Sequence, residues 1–127
     1  MSDKIYLCLS SSDSNRQSDN AWDFRVDLVR NLMLRGSWSV ALLEVNHDSA
    51  AEEIYICADI CRETQVHGRM IPLLGKTRSG SGKICTPLEI NINREDISEI
   101  HIYILDKHMR EPSLTIEELS CTLVFSK

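Results

Sequence analysis

Apolar and polar residues alternate at period two over most of the chain, the mark of strands half-buried in a sheet. Residues 4 to 9 (Lys-Ile-Tyr-Leu-Cys-Leu) form a short run of strand formers, and the polar stretch Ser10 to Asn20 reads as a loop. From Trp22 the alternation is clean: Trp22, Phe24, Val26 and Leu28 share one face, and Asp23, Arg25 and Asp27 the other. After Gly36, Trp38, Val40 and Leu42 form a second such face, while Leu43 to Val45 is apolar on the opposite face too. Asn46 to Glu53 is a connection. Ile54, Ile56, Ala58 and Ile60 then alternate with Tyr55, Cys57, Asp59 and Cys61. Gly68 breaks the pattern, and Met70 to Leu74 is a short strand that Pro72 bends or places at an edge. Gly75 to Lys83, with three glycines and three basic residues, is expected to be an exposed loop. Leu88, Ile90 and Ile92 face one way, then Asn93 to Ser98 turns. Ile100, Ile102 and Ile104 form the next face, Lys107 to Glu118 connects, and Cys121, Leu123 and Phe125 close the chain.

About eight short strands follow from this pattern, and no amphipathic helix reaches three turns. The expected fold is all-β: an antiparallel β-sandwich of the single jelly-roll type, filling residues 1–127 as one domain. Trp22, Phe24, Trp38, Ile102 and Phe125 are its expected core anchors.

Composition narrows the function. With 127 residues, 43% hydrophobic and 26% charged, the chain has material for one core and is not disordered throughout. A net charge of −5 argues against non-specific nucleic-acid binding. No apolar run approaches the roughly 18 residues of a membrane span. The opening Met-Ser-Asp-Lys lacks the apolar core of a signal peptide, so secretion is not expected. Five cysteines (Cys8, Cys57, Cys61, Cys85 and Cys121) at irregular spacing are a poor disulfide framework and read as free thiols.

Candidate chemistry is sparse. Cys57 and Cys61, with His67 nearby, invite a metal reading. On a strand, residues four apart stand about 13 Å apart at ~3.3 Å per residue, too far for one zinc ion. Gly75-Lys76-Thr77 suggests a phosphate loop, but Met70 stands where that motif needs glycine. No nucleophile sits in a G-x-S-x-G elbow. His101 falls on a strand, and His47, His67 and His108 fall in loops. Neither enzymatic activity nor a cofactor or metal is expected.

The ordered blocks resemble a protein encoded by Maverick/Polinton elements and adintovirus-like DNA viruses. Ile5-Tyr-Leu-Cys-Leu-Ser-Ser-Ser-Asp-Ser14 is similar to that family's extended start and serine-rich loop. Asp19-Asn-Ala-Trp-Asp-Phe24 and Leu34-Arg-Gly-Ser-Trp-Ser-Val-Ala-Leu-Leu-Glu-Val45 resemble its tryptophan block. Ile54-Tyr-Ile-Cys-Ala-Asp-Ile60, Val66-His-Gly68 and Ile71-Pro-Leu-Leu74 resemble its central block. Ile100-His-Ile-Tyr-Ile-Leu-Asp106 and Cys121-Thr-Leu-Val-Phe125 resemble its last two strands. In that family a longer segment separates the tryptophan and central blocks; here only Asn46 to Glu53 does, so any assembly contact it carries would be missing. The resemblance implies a non-enzymatic capsid component of the minor or penton-like jelly-roll kind. Its expected partners are copies of itself, a pentamer before a trimer, and a major capsid protein. It would be assembled in the host cytoplasm or nucleus and located in the virion.

Subunits that assemble stably bury apolar surface, so strands apolar on both faces are the place to look. Ile5 to Leu9, Leu42 to Val45 and Ile100 to Leu105 qualify, and the second-face residues Leu43, Val45, Tyr103 and Leu105 are the expected interface or second-layer positions. The alternative is a monomeric β-sandwich module, viral or host-domesticated. It would recognise protein or glycan through loops 10–20 and 75–83, with Lys76, Arg78 and Lys83 as contacts.

Overall fold

The structure, a computed structural model, describes residues 4–14, 22–47, 53–77, 82–83, 87–106, 108–110 and 118–127. These form β1 (Lys4–Ser10), a 3-10 turn (Ser11–Asp13), β2 (Asp23–Met33), β3 (Ser39–His47), β4 (Ile54–Ala58), β5 (Thr64–Val66) and β6 (Arg69–Ile71). β7 (Leu73–Thr77), β8 (Gly82–Lys83), β9 (Ile90–Asn91), β10 (Asp96–Asp106) and β11 (Leu119–Ser126) complete them. One sheet runs β1-β11-β3, with β8 and β9 both pairing β3 beyond; the other runs β2-β10-β4-β7. All of these pairings are antiparallel. With β8 and β9 taken as two pieces of one edge strand and the β5–β6 hairpin as an insertion, the first strand lies beside the last and the second beside the last but one. That wrapping makes the all-β sandwich a jelly roll.

The expected faces fill the core between the sheets. Phe24, Val40, Ile54, Ile56, Ile100, Ile102, Ile104, Leu123 and Phe125 are essentially inaccessible to solvent. The core anchors Phe24, Ile102 and Phe125 are therefore fully buried, whereas Trp22 and Trp38 are half-buried and pack against its rim. Each tryptophan sits just before a strand, Trp22 before β2 and Trp38 before β3. Trp38 donates its indole N–H to the Arg35 carbonyl at 2.9 Å.

Three irregularities depart from plain alternation. In β3, Glu44 pairs with Thr122 and Leu42 with Leu123, so Leu43 is the extra residue of a β-bulge. Val40 and Leu42 point inward before the bulge, and Val45 and His47 after it. His47, expected in a loop, thus ends the strand and is buried. In β2, Asp27 pairs with Glu99 but Leu32 with Ile97, so residues 28–31 of β2 arch out opposite Ser98 alone. In β7, Gly75 pairs with Ile56 and Leu73 with Cys57, leaving Leu74 to turn into the core. Gly75 to Thr77 is strand rather than the start of a loop. A Cβ on Gly75 would stand 2.9 Å from Leu42 Cδ2 of the facing sheet, so the sheets approach closely there. Residues 78–81 lie outside the described residues. Leu88, expected on an inward face with Ile90 and Ile92, is exposed, because regular pairing with β3 resumes only at Ile90.

β4 is buried on both faces. Ile54, Ile56 and Ala58 enter the main core, while Tyr55 and Cys57 form a second cluster with Ile71 and Met109 on the outer side of the sheet. The β5–β6 hairpin belongs to this second layer through Ile71 and Val66. His67 and Gly68, with φ of 48° and 79°, form its two-residue turn, which needs positive φ at both positions.

Candidate functional site

The sandwich opens on one side between its edge strands β1 and β2. There a cleft of about 590 Å³ is lined by Leu7, Leu9, Val26, Leu28 and Leu32, with Asp13, Asp27 and Arg30 also on its walls. Two local features create it. β1 alternates strictly, sending Ile5, Leu7 and Leu9 inward and leaving Lys4, Tyr6 and Cys8 exposed. The arch of β2 lifts that strand from β10 and leaves Val29 fully exposed, with Met33 at 61%. Tyr6, at 61%, is a third large exposed side chain, on the outward face of β1. Apolar surface gathered near an open apolar cleft is a recognised mark of an interaction site.

A polar cluster lies on the outer face of the β2–β10–β4 sheet. His101 Nε2 is 2.6 Å from Asp23 Oδ1, and Arg25 Nη1 lies 3.9 Å from the same oxygen. The Tyr103 ring tilts against His101 with centroids 5.3 Å apart. Burial, above all, pushes the Tyr103 phenol and the neighbouring Cys57 thiol up to about 12. Both stay protonated at neutral pH, and a protonated thiol is a poor nucleophile. The cluster therefore offers a hydrogen-bonded patch and no activated nucleophile at Cys57 or Tyr103. Cys57 and Cys61 do not converge: the strand ends at Ala58, a turn follows, and the thiols enter different apolar clusters. His67 instead hydrogen-bonds the Tyr55 hydroxyl at 3.0 Å.

The expected interface residues scatter. Val45 is a correction: it is fully buried in the main core, because the bulge at Leu43 reverses the alternation and swings it inward. Leu43 is half-buried on the outer side of its sheet. Tyr103 and Leu105 are half-buried against the second cluster, so this chain already packs against them. Lys76 lies in β7 with its ammonium 3.9 Å from Glu53 Oε1. Lys83 lies in β8, and Arg78 falls outside the described residues, as does most of loop 10–20. Sequence reasoning missed Val29, Met33 and the cleft. The one available signal was the polar pair Arg30-Asn31 interrupting the apolar stripe after Leu28.

No protein-family model matches the chain, and no curated protein is similar to it in sequence. Among the described residues, no helix is long and apolar enough to cross a membrane.

Proposed function

We propose that this chain is a non-enzymatic structural protein, a minor or penton-like capsid subunit that closes into a ring of its own copies and packs with a major capsid protein. The pentamer is favoured over the trimer, and the virion is its destination after assembly in the host cytoplasm or nucleus. The observation that carries the reading is the jelly-roll strand order, reached independently of the sequence blocks that resemble the Maverick/Polinton and adintovirus-like family. Fold alone does not assign function. Two further features support it: the apolar cleft with fully exposed Val29 on its wall, and buried, protonated thiols suited to a reducing cell interior.

Ring closure requires one patch to meet a different patch on the next copy. The cleft and the β2 arch replace the four second-face residues as that patch. The test is solution mass by light scattering in reducing buffer across a concentration series. A discrete mass at five times 14.5 kDa is expected. A monomer at every concentration refutes the ring and favours the loop-mediated binding module. In that case joint substitution of Lys76, Arg78 and Lys83 abolishes ligand binding; a ring survives the same substitutions.

A further inference from the structure

Four strand edges bound the two sheets, and three are guarded against pairing with another chain. β2 is arched at residues 28–31 and carries Arg25, Asp27 and Arg30. β7 follows Pro72, is irregular at Leu74 and carries Lys76. The β8–β9 edge is broken into two-residue pieces. Bulges, charges and interruptions of this kind are how sheet proteins protect their edges. β1 has neither bulge nor interruption, and its charge is confined to its first residue. All seven of its residues pair with β11 in unbroken register, Lys4 is its one charge, and among the described residues no strand pairs with its other side.

We propose that β1 pairs with β1 of a second copy, antiparallel across a two-fold axis through Leu7. Charge and side-chain pattern both favour a second copy as the occupant. In that register Lys4 lies opposite Ser10 of the other copy, whose next turn carries Asp13, so each end joins a cation to a carboxylate. Tyr6 lies opposite Cys8 twice, which covers the exposed phenol ring with a small side chain. Ile5, Leu7 and Leu9 meet on the inner face, and the clefts of the two copies become neighbours. The two sheets join into one continuous sheet, and the contact is isologous, the commonest kind in soluble homo-oligomers. It differs in symmetry from the ring, which needs two different patches.

Two measurements on the full chain test it. Sedimentation of the wild type in reducing buffer should show reversible growth toward twice 14.5 kDa, or toward twice the ring mass. Like charges placed opposite one another destabilise a strand pair, so Tyr6→Lys/Cys8→Lys and Tyr6→Glu/Cys8→Glu should each weaken the association at least about tenfold. An equimolar mixture of the two variants should restore it. Both positions are exposed, so unchanged circular dichroism is expected and shows that the fold survives. In a Cys85→Ser background, a short bismaleimide should couple Cys8 to Cys8 of the other copy, since the register makes them diagonal neighbours at roughly 7–8 Å. Association that persists in both charged variants, or that leaves Cys8 uncoupled, overturns the proposal. A ring mass without Cys8 coupling overturns it and leaves the ring reading standing. A Cys8-coupled dimer with no ring does the reverse, and a monomer at every concentration overturns both.

Discussion

The bulge at Leu43 predicts opposite behaviour for two neighbouring apolar residues. Val45 is fully buried among residues of both sheets, so Val45→Ala removes two methyl groups from a packed interior. At about 0.8 kcal/mol per buried carbon the transfer loss is about 1.6 kcal/mol. The cavity left behind adds about 1 kcal/mol more. A loss of about 2.5 kcal/mol is expected, which for a domain of this size lowers Tm by about 10 °C. Leu43 is half-buried outside the core, and Leu43→Ala should cost less than about 1 kcal/mol despite removing more atoms. Deleting Leu43 supplies the sharper contrast. Removing the extra residue leaves Leu42 opposite Leu123 and Glu44 opposite Thr122 in a regular ladder, with Val45 still inward. The shortened chain should therefore fold with a strand content like that of the parent. Thermal and urea unfolding followed by far-ultraviolet circular dichroism measure all three variants. The reasoning fails if Leu43→Ala costs as much as Val45→Ala, or if deleting Leu43 unfolds the protein. A regular, unbulged strand would give that second result, because deleting one residue from it would reverse the facing of every residue beyond Leu42.

Two further outcomes are expected. Burial pushes the Cys57, Cys61 and Cys121 thiols from 9.0 up to about 12. Below pH 9 both states hold these protons and stability is unaffected. Above it the unfolded chain releases protons that the folded chain keeps, so stability falls as pH rises toward 12. At pH 10.5 each thiol contributes a loss of about 2 kcal/mol, and the three together match a large part of the usual 5–15 kcal/mol of a domain. Urea midpoints that stay level between pH 8 and 10.5 refute this. Gly75→Ala places a methyl 2.9 Å from Leu42 Cδ2 and should cost about 1–2 kcal/mol. Combining it with Leu42→Val, which retracts that side chain, should cost less than the sum of the single changes. Strict additivity in denaturant unfolding argues against a close approach of the sheets at this point.

Most strands were legible because their alternation is strong. β2, β4, β10 and β11 include the period-two stripes, although β10 already begins at Asp96 inside the expected turn, β4 ends at Ala58 and β2 runs on to Met33; the turn at Gly68 and the break at Pro72 follow from backbone chemistry. The interface expectation fared differently. It left an apolar second face either to a partner or to a second layer of this chain. For Tyr103 and Leu105 that face is half-covered by the second cluster, and for Val45 it does not exist. Nothing local in Leu42-Leu43-Glu44-Val45 distinguishes a bulge from a two-faced strand, because the extra residue is defined only against Thr122 and Leu123, about eighty positions away.

By itself, the sequence determined that this is an all-β sandwich and which side chains fill most of its core. Periodicity is a local property, and burial of apolar stripes leaves few alternatives. Only the tertiary structure decided which surface is open. Strand order sets which edges lack a neighbour, the arch of β2 sets where apolar side chains reach water, and β11 sets where β3 must bulge. Each depends on pairing between distant segments, so no window of sequence contains it. The cleft between β1 and β2, and the unguarded edge beside it, are products of that pairing.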